Sequence, residues 1–420
     1  MANIALKDSA NHLLRMLVAF EHRNFRLLWT GRFSSNMGRM MRVFLRAWVV
    51  WQLTDSPLLM GVVISSLSWP MLFMPFIGGI VADKIDRKQL LIVTETLLVI
   101  LWTIVSVLLT LDLIQWWHFI VSSVCSGVIQ SFGRPGHLAM VADVVDRKTL
   151  PNAVALDSAA QTWPGVAGPA LGALLIPFVG VAGGFWFTTF LQLVTVVTIF
   201  LLDWQNTDKS QSDQSTRSSF VEGFRHIRGE PTLLGLVALG MTSALFAQSY
   251  SFLLPAFADE ILHLGDGTRG AQGLGVLMTG AAVGGAIGSL TAVSLSNFKK
   301  RGALLFFAVI CFSLLVMAFS RSEVFVISFG ILFFMRVMGM ITQTTNITAM
   351  QLLAPDHLRG RVMSLRVFTM GLSPIGVMFM GALSEPSVLG IQNAVMLGGI
   401  VYAFVGVILF GFMPSLRKFE

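Results

Sequence analysis

Charged residues and cysteines are both scarce in this sequence. Only 12% of its 420 residues are charged, 55% are hydrophobic, and the mean hydropathy is +0.75. This composition is typical of a chain that folds in lipid, so it excludes a soluble protein of two or three domains. The two cysteines, Cys125 and Cys311, both fall inside apolar runs, so a disulfide framework is not indicated.

Sequence features of nucleotide binding and catalysis are also missing. The chain has no phosphate-binding glycine loop, no metal-ligand spacing and no nucleophile arrangement, and its 7 histidines are scattered. We therefore predict that the protein is not an enzyme, has no catalytic residues, and binds neither a metal nor a cofactor. A pump driven by ATP is disfavoured for the same reason.

Apolar runs of roughly 20 residues, the length needed to cross about 30 Å of hydrocarbon, recur along the whole chain. We predict an all-α polytopic membrane protein with twelve transmembrane helices in two six-helix halves. The first six spans are predicted near residues 27–53, 57–82, 89–111, 114–142, 152–179 and 182–203. The second six are predicted near residues 232–258, 270–297, 302–320, 323–352, 361–384 and 388–413.

Basic residues lie in every second break between these spans. Arg87, Lys148 and Lys300 are examples, whereas the other breaks hold almost none, Arg269 and Arg321 being the exceptions. Since cytoplasmic loops of membrane proteins carry the excess of Lys and Arg, the alternation predicts that both termini are cytoplasmic. The net charge of +7 is therefore explained by membrane orientation, and we predict no nucleic-acid partner.

The polar segments divide the chain into five predicted parts. Residues 1–26 lack a cleavable signal and are predicted to be an amphipathic cytoplasmic segment. Residues 27–203 and 232–413 are the two halves, separated at 204–231 by a Ser-rich cytoplasmic linker with an amphipathic helix, and 414–420 form a cytoplasmic tail. Two equivalent halves predict a transporter architecture, with a multi-span anchor or receptor as the alternative.

The break after the second span reads "GGIVADKIDRKQ". It resembles the signature loop of the major facilitator superfamily, in which Gly-x-x-x-Asp-(Arg/Lys)-x-Gly-(Arg/Lys)-(Arg/Lys) joins the second and third helices. The matching residues are Gly79, Asp83, Lys84, Arg87 and Lys88. Asp86 stands where the family usually has glycine, which makes the turn less permissive of a positive φ.

The same resemblance implies contacts for this loop. Asp83 would lie near the N-terminus of the eleventh helix, "HLRGRVMSL", which contains Arg359 and where the helix dipole favours an anion. Arg87 would pair with an acid at the inner end of the fourth helix, for which Asp143 is the candidate. These contacts would hold the two halves closed on the cytoplasmic side, so we expect the loop residues, Asp143 and Arg359 to act in gating.

The fifth span contains "WPGVAGPALGALL". Gly165, Gly168, Pro169 and Gly172 resemble the Gly-Pro-x-x-Gly segment of exporting members of the superfamily. The glycines permit close helix packing, and the proline bends the span by removing one backbone hydrogen bond. The segment favours export over import, although packing glycines are common in any membrane helix.

A narrower resemblance runs over roughly residues 20–410. It rests on "FRLLWTGRFSSNMG", "WQLTDSPLLMGVV", "LPNAVALDS", "LLPAFADEIL" and "LLAPDHLRGRVMSL". These segments look like the branch of the superfamily that includes enterobactin-type siderophore exporters, macrolide efflux proteins and other secretion effectors. The resemblance implies export of an organic molecule, driven by proton antiport.

The first span carries four arginines, Arg32, Arg39, Arg42 and Arg46. At about 100° per residue, they fall within an arc of about 80° and form one stripe along the helix. Arg32 and Arg46 could reach opposite membrane surfaces as anchors. Arg39 and Arg42 lie too near the middle for that, so we expect them to face an aqueous cavity or paired acids.

Cations outnumber acids inside the predicted spans. Arg134 and Arg336 are further intramembrane arginines, whereas Glu95 and Asp157 are the few acids at comparable depth. The surplus predicts an anionic substrate, since arginine holds a carboxylate in two parallel hydrogen bonds. The predicted substrate-binding residues are Asn36, Arg39, Arg42, Arg134, Gln248, Arg336 and Gln343. Weaker candidates, which more often bond to a neighbouring helix, are Gln130, Trp163, Tyr250 and Asn346.

Glu95 is the candidate for proton coupling, although it could equally be a static partner of an arginine. Taken with the resemblance, these residues predict a secondary exporter of a small, siderophore-like organic anion. The alternatives are a multidrug or macrolide efflux pump and a membrane sensor that does not transport. We expect a monomer in the bacterial inner membrane, with the substrate, protons and lipid as its partners.

Overall fold

The computed structural model describes residues 18–73, 86–146, 149–203, 230–265, 267–295, 300–354, 362, 369 and 371–413. Within these ranges every regular element is helical and no strand occurs. After a 3₁₀ turn at Val18–Glu21, the first helices are α1 (Arg23–Thr54), α2 (Pro57–Ser66), α3 (Ser68–Phe73), α4 (Arg87–Thr110), α5 (Trp116–Asp143) and α6 (Leu150–Phe200). They are followed by α7 (Pro231–Thr242), α8 (Tyr250–Ala256), α9 (Thr268–Ser294), α10 (Arg301–Ser320), α11 (Phe325–Leu353), α12 (Ser373–Leu383) and α13 (Gly390–Phe412).

Seven segments of the described residues are long and apolar enough to cross a bilayer. They are Lys88–Thr110, Leu150–Phe200, Pro231–Ile261, Thr268–Ser294, Arg301–Ser320, Phe325–Leu353 and Gly390–Phe412. They confirm the prediction of an all-α polytopic membrane protein. The arrangement of twelve helices in two halves stays a prediction.

Two of the predicted spans meet inside α6. Helical hydrogen bonding runs over all 51 residues of α6, but Gly180 within it has φ 68° and ψ −179°. Glycine adopts this conformation readily because it has no Cβ. The helix therefore changes direction between the predicted fifth and sixth spans.

The predicted seventh span is not a regular α-helix. Two π-helical segments, Ser243–Ala247 and Phe257–Ile261, flank α8, and Gln248 donates its backbone N–H to the Ser243 carbonyl oxygen at 2.9 Å. The span predicted near 232–258 agrees with the apolar segment Pro231–Ile261, but its π-helical turns were not predicted. Hydropathy reports the length and polarity of a span, whereas a π-bulge inserts one residue into a turn without changing either.

The chain falls into two compact units by its internal contacts. The first comprises Met1–Leu45 and Phe73–Ser210, and the second comprises Arg46–Leu72 and Gln211–Glu420. In the first unit α4 packs against α5 and α6, and in the second α11 packs against α9 and α10 while α2 packs against α12. The division into 27–203 and 232–413 stays a prediction, and most of the linker, 204–229, lies outside the described residues.

The interface of α2 and α12 depends on two glycines. A Cβ on Gly61 would lie 2.9 Å from the Val377 carbonyl oxygen, and one on Gly381 would lie 2.8 Å from that of Pro57. Both distances are shorter than van der Waals contact, so only glycine lets the two backbones approach this closely.

A carboxylate fixes the start of α2. Ser56 is the N-cap residue, and its Oγ accepts a hydrogen bond from the Leu59 N–H at 3.2 Å. Glu385 accepts from Ser56 Oγ at 2.5 Å and from the Leu58 N–H at 3.0 Å. A negative charge at a helix N-terminus is stabilised by the helix dipole, so Glu385 ties the end of α12 to the start of α2.

Candidate functional site

The arginine stripe of α1 begins with an ion pair. Arg32 Nε lies 2.8 Å from Asp157 Oδ1, and both side chains are largely buried, with exposed fractions of 12% and 9%. Gln161 donates a hydrogen bond to the other oxygen of this carboxylate, Oδ2, at 3.0 Å. Arg32 is therefore held by a partner on α6, and its role as an anchor at the membrane end stays a prediction.

Arg39 and Asn36 form one hydrogen-bonded pair on the same helix face. Arg39 Nη2 donates to Asn36 Oδ1 at 2.9 Å, and Asn36 Nδ2 donates to the Ala160 carbonyl oxygen at 3.3 Å. Both side chains are half-buried. The amide of Asn36 thus orients the guanidinium of Arg39 while leaving part of it accessible.

Arg42 is buried, with 7% of the residue exposed, and it is bonded to α6. Its Nη1 donates to the Thr188 carbonyl oxygen at 3.3 Å and its Nη2 to Gln192 Oε1 at 3.0 Å. The guanidinium carbon also lies 4.6 Å from the centre of the Trp102 ring, within the range of a cation–π interaction.

Gln192 connects Arg42 to Glu95. Its Nε2 donates to Glu95 Oε2, while its Oε1 accepts the hydrogen bond from Arg42. All three side chains are buried in the first unit. A buried arginine and a buried glutamate are thus joined through one amide, which lowers the cost of holding both charges in an apolar environment.

Arg46 is buried, with only 6% of the residue exposed. Its neighbours on α1, including Leu45, Ala47 and Trp48, are also buried. This burial argues against the alternative in which Arg46 extends to a membrane surface as an anchor.

The glycines of the predicted export segment differ in their surroundings. A Cβ on Gly168 would lie 2.5 Å from Met40 Cβ, and one on Gly172 would lie 2.7 Å from the Phe44 ring. Gly165 has no atom within 4 Å of such a Cβ. Gly168 and Gly172 therefore allow α6 to approach α1 closely, as the resemblance implies, whereas Gly165 has no packing role in the described residues.

Asp86 explains the departure from the family's signature loop. It is the N-cap residue of α4, with φ −57°, and its Oδ1 accepts hydrogen bonds from the Lys88 and Gln89 N–H groups at 2.9 and 3.1 Å. Because φ is negative at this position, glycine is not required, and the aspartate side chain can cap the N-terminus of α4. Lys88 Nζ donates to the Leu202 carbonyl oxygen at 2.5 Å, next to the end of α6.

The second unit contains a cavity of about 230 Å³. It is formed by α7 and the π-helical segment after it, by α11, by two residues of α12, and by single residues of α8, α10 and α13. Three predicted substrate-binding residues, Gln248, Arg336 and Gln343, line it together. Arg336 is the one charged residue among the lining residues of this cavity that the structure describes.

Some polar side chains of this cavity have hydrogen-bond partners within the described part of the protein, and others do not. Asn346 Nδ2 donates to the Leu236 carbonyl oxygen at 3.0 Å, and Gln248 Nε2 donates to Ser243 Oγ at 3.2 Å. Arg336 lies beside the Tyr250 phenol, and no carboxylate of the described residues is within ion-pair distance of it. Thr342 Oγ1 is buried without a hydrogen-bond partner among the described residues.

Several predicted residues lie outside the described part of the chain. These are Gly79, Asp83, Lys84 and Arg359, together with the side chains of Arg87, Arg134 and Asp143. Their roles stay predictions. Among the weaker candidates, Gln130 donates to Ser126 Oγ at 2.7 Å within α5, and Trp163 is exposed on α6.

Two residues of these sites were missed from the sequence. Gln192 stands in the apolar run "FLQLVTVV", where a lone amide needs a hydrogen-bond partner and could have drawn attention. Thr342 carried no comparable indication, because most threonines of a membrane helix bond to a carbonyl of their own helix.

A protein-family model described as "Transmembrane secretion effector" matches residues 15–420. This match covers nearly the whole chain. The chain belongs to this family of the major facilitator superfamily. The match confirms the resemblance to the secretion-effector branch of the superfamily that the sequence segments indicated.

Two curated relatives are efflux proteins, and each has low sequence identity to this chain. The multidrug efflux pump Tap of Mycolicibacterium fortuitum is 23% identical over 407 residues, which cover 94% of this chain and 96% of Tap. The enterobactin exporter EntS of Shigella boydii serotype 4 is 22% identical over 420 residues, which cover 97% of this chain and 96% of EntS.

Solved transporters share the fold. The nucleoside transporter NupG matches with a TM-score of 0.71 at 14% identity, over 94% of this chain and all of NupG. A bacterial homologue of the human lysosomal transporter Spinster, in an inward-facing and unoccupied conformation, matches with a TM-score of 0.70 at 13% identity, over 94% of this chain and 98% of that protein. The chain is therefore a multi-pass membrane transporter of the inner membrane.

Proposed function

We propose that the protein is a secondary active exporter of a small organic anion, siderophore-like in character, and that it works by alternating access with proton antiport. The observation that carries the proposal is Arg336, a cation in the wall of an intramembrane cavity with no described carboxylate in ion-pair distance. Since an intramembrane charge is costly, a bound anion is the natural counter-charge. The enterobactin exporter among the relatives supports the siderophore class.

The residues have separate proposed roles. The proposed substrate-binding residues of the second unit are Arg336, Gln343 and Gln248. Those of the first unit are Asn36, Arg39, Arg42 and Arg134. Arg39 is the stronger of these candidates because it is half-buried, while Arg42 is already bonded to Gln192 and Thr188. Gly79, Asp83, Lys84, Arg87, Lys88, Asp143 and Arg359 are the proposed gating residues.

Glu95 is the proposed proton-coupling residue. It is buried and bonded to Gln192, so loss of its charge would change the network that holds Arg42. We further propose that the transporter is monomeric, with both termini in the cytoplasm as the basic loops predict.

Transport into everted membrane vesicles tests the direction, the coupling and the charge of the substrate. An imposed pH gradient, acidic inside, should drive uptake of labelled enterobactin and leave a lipophilic cation such as ethidium outside. Arg336→Gln should abolish the uptake, whereas Arg269→Gln, on the exposed start of α9, should retain it. Glu95→Gln should abolish uptake driven by the pH gradient while retaining exchange of substrate without a gradient.

The multidrug pump is the second candidate, supported by the relative Tap. Equal transport of ethidium and enterobactin, unaffected by Arg336→Gln, would establish it and reject the anion exporter. A protein that binds these compounds but exchanges none of them across the membrane would be the non-transporting sensor.

A further inference from the structure

We propose that the cavity of the second unit is a subsite for one aromatic ring that bears an anionic group and a second hydrogen-bonding group. The ligand is either a small aromatic acid or one arm of a larger anion. The inference deepens the proposed function and rests on it for its physiological meaning. It stands on four features of the cavity: its charge, an unsatisfied hydroxyl, its aromatic wall and its volume.

The charge of the cavity comes from one arginine. Arg336 lies on α11 and faces α9, where a Cβ on Gly285 would be 3.8 Å from Arg336 Nη2. No other residue of the described lining carries a formal charge. The planar guanidinium can hold a carboxylate through two parallel hydrogen bonds, so the cavity has one position for one anionic group.

The unsatisfied hydroxyl belongs to Thr342. Its Oγ1 is buried and has no partner among the described residues, and Thr342 lines the cavity. A buried hydroxyl without a hydrogen bond destabilises the protein, so a ligand that bonds to it recovers this cost. Thr342 lies about 9 Å from Arg336 along the axis of α11. Its hydroxyl therefore contacts a part of the ligand other than the anionic group that Arg336 binds.

Two aromatic rings form part of the cavity wall. Phe312 and Tyr402 both line the cavity, and their ring centroids are 5.9 Å apart at an interplanar angle of 89°. Tyr250, which lies beside Arg336, is 6.5 Å from Phe312. Edge-to-face and tilted arrangements of this kind extend readily to another ring, so an aryl group fits better than an aliphatic chain.

The volume limits the ligand to about one ring. Pockets for drug-sized ligands are typically about 300–1,000 Å³, whereas a dry cavity of about 150 Å³ is enough for benzene. The cavity of about 230 Å³ therefore holds a benzene ring with one or two small substituents. A larger substrate would place one such arm here and the rest elsewhere.

Equilibrium dialysis against the purified full-length protein in detergent tests the proposal with three matched probes. Benzoate, benzyl alcohol and benzylamine share the ring and differ in charge. We expect benzoate to bind at least about tenfold more tightly than benzylamine, and Arg336→Gln to remove that difference, since a charge-assisted hydrogen bond contributes about 1.5–3 kcal/mol. Arg336→Lys should retain part of it, and the exposed-site variant Arg269→Gln should retain all of it.

The hydroxyl is tested with a fourth probe. 4-Hydroxybenzoate should bind more tightly than benzoate in the natural protein and equally in Thr342→Val. Thr291→Val is the matched control, because Thr291 Oγ1 donates to the Ile287 carbonyl oxygen away from the cavity. Thermal unfolding of each variant shows that it is folded, so a loss of binding is not a loss of structure.

The outcomes separate this inference from the proposed function. Equal binding of benzoate and benzylamine, or a preference for benzoate over benzylamine that survives Arg336→Gln, rejects the subsite even if enterobactin is exported. No preference for 4-hydroxybenzoate rejects the role of Thr342. Benzoate binding that depends on Arg336, in a protein that exports no anion from vesicles, rejects the exporter and retains the subsite.

Discussion

Arg42 donates a hydrogen bond from Nη2 to Oε1 of Gln192 at 3.0 Å, across 150 positions of the sequence. The other end of the same amide donates to Glu95. An amide in this orientation suits an arginine on one side and an acceptor oxygen on the other, so Gln192 stabilises both charged groups at once. The arginine that first indicated an anionic substrate is thus also part of an internal network.

Replacing Gln192 should therefore destabilise the first unit. Gln192→Leu leaves Arg42 and Glu95 without the amide that joins them, and we expect the free energy of unfolding to fall by about 1–3 kcal/mol. Chemical denaturation of the purified protein in detergent measures this change. Gln89→Leu, the same substitution at an exposed position of α4, should change the free energy little, and equal effects of the two variants would contradict the network.

The export segment offers a comparison between two of its own glycines. Gly168→Ala places a Cβ 2.5 Å from Met40 Cβ, so α6 must move away from α1, and we expect a loss of about 1–3 kcal/mol in stability and reduced export. Gly165→Ala meets no atom within 4 Å and should be tolerated. Thermal unfolding and vesicle uptake check both variants. A tolerated Gly168→Ala would show that close packing is not the reason for this glycine.

The ion pair between Arg32 and Asp157 can be measured by a double-mutant cycle. Asp157→Asn leaves Arg32 without its counter-charge, and we expect a loss of about 3 kcal/mol in the free energy of unfolding, because the pair is largely buried. Arg32→Gln combined with Asp157→Asn should recover part of that loss, since neither charge is then left alone. Additive losses in the double variant would mean that the two side chains do not stabilise each other.

The N-cap of α2 is a further local test. Ser56→Ala removes the hydroxyl that accepts from Leu59 and donates to Glu385, and we expect a loss of about 1 kcal/mol in stability. Glu385→Gln retains an acceptor but removes the charge at the helix N-terminus, so its effect should be smaller at high salt than at low salt. Glu323→Gln, at an exposed glutamate before α11, is the control and should show no effect.

The sequence predicted the helical fold more fully than the site. Spans such as 270–297 and 302–320 agree with α9 and α10 to within a few residues, because hydropathy and length are local properties of the chain. The π-helical segments beside α8 were missed, since one extra residue in a turn changes neither property.

The substrate-binding residues stay predictions. Arg336, Gln248 and Gln343, three of the seven, line one cavity. Thr342 was missed because its importance lies in the absence of a hydrogen bond, which only coordinates reveal. The burial of Arg46 was not predicted, because the depth of a residue along its own helix does not show what covers it in the folded protein.

The sequence by itself determined the α-helical membrane class of this protein, and it predicted spans that hold more arginine than acid. Both follow from composition and order along the chain, and the free energy of placing residues in lipid depends on them directly. The tertiary structure decided which of the described arginines contact a partner on another helix and which line a cavity. Arg32 is paired with Asp157 and Arg42 is bonded to Gln192, whereas Arg336 lines a cavity without a described carboxylate within ion-pair distance. Coulomb energy and hydrogen bonding fall off over a few ångströms, so these partners, distant in sequence, are fixed only once the helices pack.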